Sequence, residues 1–174
     1  MKRLNVVVAC TICLAAGLGA GLWAGQASGI DAMRGKPPKE AALAALATAE
    51  KLAGKGSWER IAVGRVYYLS GEKAKGQAIF DAVTGEGPQA SDWQRIGEVY
   101  AEAGEKEKAG ACFDKVFVKN KRDDVGLSEV GAWYIRMGER EKGEELIRQA
   151  LAINAKEVWH YVRAAEAYVG IMSR

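Results

Sequence analysis

The chain has a single histidine, His160, three cysteines and 22 carboxylates from which chemistry could be built. His160 stands in VWHYVRAAEAYVG, where His160, Arg163 and Glu166 form a narrow polar stripe along an otherwise apolar helical pattern. The stripe accounts for it as a solvent-facing residue. A metal site there would need further ligands, and Cys112 lies in a different segment of the chain. No serine carries a nucleophile motif that would join His160 and an aspartate in a hydrolytic set. Cys10 and Cys13 have the C-x-x-C spacing of a redox or metal pair, but they sit in an apolar run that offers a thiolate no polar surroundings. GEKAKG at 71–76 has the glycines of a phosphate loop without the Lys-Ser or Lys-Thr that completes one. Asp123 and Asp124 are adjacent carboxylates at a junction where turns and helix starts already favour aspartate. The sequence therefore predicts no catalytic residue, no metal site and no cofactor, and a protein that is not an enzyme.

Length and composition leave room for a fold. At 174 residues, 49% hydrophobic and 27% charged, the chain can bury one domain's core. Only three prolines and an abundance of Ala, Glu, Lys and Leu favour helix. The formal charge is +3, and removal of Lys2 and Arg3 with a leader leaves 23 basic against 22 acidic residues, so no basic surplus points to nucleic acid. Lys2 and Arg3 precede an uncharged run over 4–30 that ends in small residues, the pattern of a signal peptide cut after Ala27. Residues 6–25 are also long enough to span a bilayer, with Gly17, Gly21 and Gly25 at small-xxx-small spacing, so 1–27 reads either as a cleaved leader or as a retained anchor. Val7 to Cys10 lies too near the start for a lipoprotein cleavage box. Cys112, beside Phe113, reads as a buried thiol, and disulfides do not hold the fold.

Self-similarity decides the architecture. The glycines of three GE pairs, Gly71, Gly104 and Gly138, are 33 and 34 residues apart. Gly64, Gly97 and Gly131 keep the same register, as do Tyr67, Tyr100 and Tyr134. Gly76, Ala109 and Gly143 match as small residues; Phe80, Phe113 and Ile147 match as large apolar ones; Val83, Val116 and Ala150 complete the set. In the middle copy, Trp93, Ile96, Gly97, Tyr100 and Ala103 share one helical face, and Ala109, Cys112, Phe113, Val116 and Phe117 share another, with Gly104 between them. Such a helix pair cannot bury its apolar stripe alone. Stacked copies can, which predicts an all-α solenoid in which Gly97 and Ala109 let paired helices approach closely.

The middle copy, with Trp93, Ile96, Gly97, Tyr100, Ala109 and Phe113, resembles the tetratricopeptide repeat, W-x2-L-G-x2-Y followed by A-x3-F. The first copy has Arg60 at the Trp position and keeps a terminal proline, Pro88; the third has Leu127 at the Trp position and no terminal proline. The resemblance implies repeats at about 57–89, 90–123 and 124–157 within a domain over 39–174, preceded by a linker over 28–38. It also implies a protein or peptide partner held in a concave groove lined by the first helix of each repeat. The family's groove columns fall on Ile61, Arg65 and Tyr68, on Gln94, Arg95, Glu98 and Ala101, and on Ser128, Ala132, Ile135 and Arg136. Of these, Arg65, Tyr68, Gln94, Arg95, Glu98 and Arg136 are the expected contact residues. The set lacks the Lys, Asn and Arg array that clamps a C-terminal carboxylate, which favours a helix or extended segment held by mixed contacts.

Half-repeats flank the three copies. A helix expected over 39–54 places Ala42, Leu46 and Ala49 in second-helix columns. A closing helix expected over 157–172 places Tyr161, Ala164, Ala165 and Tyr168 in first-helix columns. End helices need a polar outer face, and this one is too apolar for that, so Trp159, Val162 and Val169 are expected in an apolar C-terminal surface that a partner, a second copy or lipid covers, or that folds back over the repeat end. The resulting expectation is an exported bacterial adaptor or assembly factor, periplasmic or on the extracytoplasmic face of the inner membrane. The alternative is a structural subunit that oligomerises through the last helix or is tethered by the first segment. Membrane contact is expected only through residues 1–27, if uncleaved.

Overall fold

The glycine of each GE pair ends a helix in the computed structural model, which describes residues 30–118 and 121–171. Gly71, Gly104 and Gly138 take φ of 100°, 77° and 85°, a left-handed conformation that a side chain would strain. The next N–H, from Glu72, Glu105 and Glu139, donates to the carbonyl of Tyr67, Tyr100 and Tyr134 at 2.9, 2.8 and 2.8 Å. This is the Schellman stop, repeated three times, and its last residue is at once the N-cap of the following helix.

Eight helices and no strand are present among the described residues. They are α1 (Pro38–Ala53), α2 (Ser57–Leu69), α3 (Lys73–Gly85), α4 (Ala90–Glu102), α5 (Lys106–Val116), α6 (Asp124–Arg136), α7 (Arg140–Ile153) and α8 (Val158–Val169). Pairs α2/α3, α4/α5 and α6/α7 form antiparallel hairpins; among the described residues α1 stands in front as an unpaired second-type helix and α8 closes the end as an unpaired first-type helix. The closing helix is shorter than the 157–172 expected from sequence. Gly170 takes φ 76°, the Ile171 N–H bonds back to the Glu166 carbonyl at 2.8 Å, and the helix stops.

Small residues set how tightly each hairpin closes. A Cβ on Gly76 would lie 2.6 Å from the Gly64 carbonyl oxygen, and one on Gly131 would lie 2.8 Å from that of Gly143. Backbones this close leave little room for side chains, and in the middle hairpin Ala109, opposite Gly97, fills the corresponding place with no exposed surface. One core then runs from Ile61 to Met137 through all three hairpins. Its aromatic spine has Tyr100 edge-on to Tyr68 and Phe80 at 5.5 and 5.9 Å, and Tyr134 edge-on to Phe113 at 5.5 Å. Leu46 of α1 joins Val63 and Tyr67 in one satellite cluster, and Ala167 of α8 joins Ala132, Ile135 and Ile147 in another.

The even-numbered helices pack on one another in order, α2 on α4, α4 on α6 and α6 on α8. The odd-numbered helices stand apart: a cleft of about 810 Å³ opens between α1 and α3, and one of about 370 Å³ between α5 and α7. A stack drawn tighter along one layer than along the other bends, with the tighter layer inside. The even helices therefore line the inner face. No helix among the described residues is long and apolar enough to cross a membrane. Residues 6–25, with Cys10 and Cys13, lie outside the described residues.

Candidate functional site

The inner face begins at Trp58, in the first turn of α2. Its ring is 52% exposed and carries the Arg95 guanidinium of α4 at 3.8 Å, a cation held over a π face. Two turns further along, Arg65 Nε donates to Glu102 Oε2 at 2.7 Å. At the other end of the face, the exposed Arg136 lies 5.3 Å from the Trp133 ring centroid.

Between these lies a polar row that crosses three helices. Gln94 of α4 donates to Glu98 at 3.1 Å and also to Glu129 of α6. Glu129 accepts from Arg163 of α8 at 2.5 Å. Arg163 also reaches Ser128 Oγ at 3.4 Å. Burial pushes the Glu98 carboxyl above its usual range and the Glu129 carboxylate adds to the shift, against the Gln94 amide, Arg95 and the Trp133 indole. One amide thus bridges two carboxylates, and Arg163 supplies the counter-charge from the closing helix.

His160 corrects the sequence reading. It has no exposed surface rather than facing solvent. Its Nδ1 lies 3.0 Å from Ser128 Oγ and its Nε2 lies 3.2 Å from Asp124 Oδ2. A serine, a histidine and an aspartate do therefore meet, which the search for a nucleophile motif missed. The arrangement is structural. Ser128 is also without exposed surface and donates to the Val125 carbonyl at 2.9 Å, so no substrate reaches it. With Nε2–H donating to Asp124, Nδ1 shares the single Ser128 hydroxyl proton with the Val125 carbonyl, and the trio becomes a clamp that docks α8 on α6.

The expected groove residues divide. Gln94, Arg95 and Glu98 belong to the row, and Arg65 and Arg136 flank it. Tyr68 does not line it: only 2% of its surface is exposed, and its hydroxyl is spent on Glu105 Oε2 at 2.8 Å. Ile61, Ser128, Ala132 and Ile135 are likewise buried. Arg163, Glu129 and Trp58 take part although the repeat columns did not select them. Their pairings have a signature, since Gln94–Glu129, Arg163–Glu129 and Arg65–Glu102 are separated by 35, 34 and 37 residues, each about one repeat. Elsewhere, Cys112 is buried and desolvation pushes its thiol up to about 11, which makes it a poor nucleophile. Among the described residues no group of three His, Cys, Asp or Glu could hold a metal ion.

The closing helix has its faces reversed. His160, Arg163 and Glu166, the polar stripe, turn toward the body, with Ala167 beside them. Trp159, Tyr168 and Val169 turn outward, 54%, 51% and 70% exposed, while Val162 is half-buried.

No family model matches this chain, and no curated protein matches it. Among solved structures, the crystal structure of MamA is similar, with a TM-score of 0.51 and 18% identity over 76% of this chain and 80% of that one. MamA is a tetratricopeptide-repeat protein. At that identity the likeness shows the fold, and with the hairpins above it makes this chain an all-α solenoid of three tetratricopeptide-type hairpins between an N-terminal half-repeat helix and a C-terminal closing helix.

Proposed function

We propose that the chain is a non-catalytic protein-interaction module, an adaptor or assembly factor of the bacterial cell envelope, which holds a partner segment along the inner face of its even helices. The observation that carries this is the exposed Trp58 with Arg95 stacked on it, at the mouth of a row in which Glu129 is paired with Arg163 and Glu98 is held by the Gln94 amide. Trp and Arg are the side chains that dominate interface energies. Such a row offers amide and carboxylate edges to an extended backbone with mixed side chains. Export rests on the pattern of residues 1–27, and the N-terminal peptide of the chain recovered from cells tests it: a peptide starting at Ser28 means a cut leader, and one starting at Met1 with the chain in the cytosolic fraction defeats the envelope reading.

A photo-crosslinking residue placed at Arg136 on the inner face, or at exposed Glu107 on the outer layer, tests the site in cells. The inner position is expected to capture one partner and the outer position not to. Trp58→Ala and Arg95→Glu should each lower capture about tenfold, as loss of a hot-spot contact does. Capture that is unchanged in both variants, with helicity intact, would refute the groove.

A further inference from the structure

The two ends of the solenoid are the two halves of one repeat. Among the described residues, α8 is a first-type helix without a second helix, and α1 is a second-type helix without a first. We infer that the exposed face of α8 is covered by α1 of a second copy of this chain, so that copies join head to tail and complete a fourth hairpin across the junction.

The repeat columns show what each end lacks. Tyr67, Tyr100 and Tyr134 are each covered by a lysine of their own hairpin partner, Lys75, Lys108 and Lys142, at 4.1, 5.2 and 4.0 Å from the ring. All three tyrosines are buried. Tyr168 occupies the same column in α8; Arg140 of α7 lies 5.1 Å from its ring and Glu144 accepts from its hydroxyl at 2.6 Å, yet it is 51% exposed, with no second-type helix of its own among the described residues. At the other end, Ala42 occupies the column of Gly76, Ala109 and Gly143, all buried against their partner helix, and Ala42 is exposed. Ala165 stands in the opposing column of Gly64, Gly97 and Gly131 and is exposed as well. Both ends thus leave a small residue of the crossing exposed, and with two alanines where each hairpin has at least one glycine, the junction would close less tightly than the three hairpins do.

The surrounding surfaces suit the same occupant. α8 turns its apolar face outward, the reverse of a solvated cap. The N-terminal end presents Leu52, 81% exposed, and Val66. An apolar helix face beside a half-repeat fits a helix of the complementary type better than it fits a flat surface. Such an interface is heterologous, two different patches meeting, so it propagates into rings or filaments rather than stopping at a two-fold dimer. It uses none of the inner-face residues, and it stands or falls separately from the groove.

Cysteines at two exposed alanines test it in the full chain. Ala42→Cys and Ala165→Cys should crosslink to each other on mild oxidation when the single variants are co-expressed, and a chain carrying both should give a ladder, with the joined peptides containing positions 42 and 165. Ala165→Cys alone should give no more dimer than the unaltered chain. Four results overturn the inference: no ladder, which leaves lipid or another protein as the cover; Ala165→Cys dimers equal to the mixed pair, which means a symmetric contact; a bond from position 165 to Cys10 or Cys13 of the same chain, which means its own N-terminal segment is the cover; or a ladder undiminished by Tyr168→Glu with helicity retained. Arg136→Glu, on the inner face, should leave the ladder unchanged.

Discussion

Glu105 is the residue whose loss should most clearly loosen one repeat from the next. It lies at the corner between α4 and α5 and accepts from Tyr68 at 2.8 Å and from Lys73 and Lys108 at 2.7 Å each, which joins three helices through one carboxylate. Lys108, Lys73 and Tyr68 hold the carboxyl at about 2 in the folded chain, against an ordinary value of 4.5. At 1.36 kcal/mol per decade that difference would favour folding by about 3.4 kcal/mol at neutral pH. Both lysines are more than half exposed, and solvent screening brings a realistic figure to about 1–2 kcal/mol. The folded value is the lower one, so the stabilisation is full above pH 4.5 and is lost as pH falls toward 2. Glu105→Gln keeps the shape and removes the charge. Urea unfolding should show the variant less stable by about 1–2 kcal/mol at pH 7, and by less than half of that at pH 3. No deficit at pH 7, or a deficit of the same size at both pH values, would refute the charged anchor.

Gly143→Ala should cost stability although alanine is the better helix former, because the new methyl would press on the Ile135 side chain and backbone; about 1–3 kcal/mol of overpacking outweighs about 1 kcal/mol of propensity. Gly85→Ala, where a Cβ meets nothing within 4 Å, should instead raise the unfolding free energy by a few tenths to about 1 kcal/mol, read from urea unfolding, and the opposite signs of the pair are the check. His160→Ala removes two buried hydrogen bonds, so amide exchange in α8 should accelerate by about 5- to 150-fold, the equivalent of about 1–3 kcal/mol, while α4 and α5 change far less.

What the sequence made legible was whatever the backbone demands of a residue type. The corners at Gly71, Gly104 and Gly138 could be located because a positive φ admits little else, and the close crossing near Gly97 because only a small residue fits there. Hairpins and their order followed. The site was legible only in outline. A helical period says which residues share a face but not which face docks, and that is where His160 was misread. Tyr68 was placed in the groove by its column, yet in this chain Glu105 and Lys108 bind its hydroxyl over the repeat core. The row itself depends on partners about one repeat apart, which a period of 3.6 cannot reveal. A search for complementary polar residues at separations of 32–37 would have found Gln94–Glu129, Glu129–Arg163 and the His160 clamp.

The reversed faces of α8 have a cause in α6. The surface that α6 offers to the next first-type helix carries Asp124, Ser128 and Glu129. Had α8 docked with Trp159 and Val169 inward, Asp124 would lose His160, and Glu129 would lose Arg163 and keep only the neutral Gln94 amide, under an apolar cover. A stranded carboxylate costs about 3–5 kcal/mol, and each stranded neutral group about 1–3 kcal/mol. Burying an apolar side chain returns about 1.5–3 kcal/mol at most, and half-burial against one neighbour returns less. With one carboxylate stranded and a second left to a neutral amide, the polar pairing wins, and His160 and Arg163 go inward. The outward apolar face of α8 follows from that choice, so the chemistry at the top of α6 decides what the end of the solenoid shows to its surroundings. It also ties the two surfaces together: Arg163 completes the inner row through Glu129 while the opposite side of the same helix stands bare, and a change that unseats α8 should disturb both.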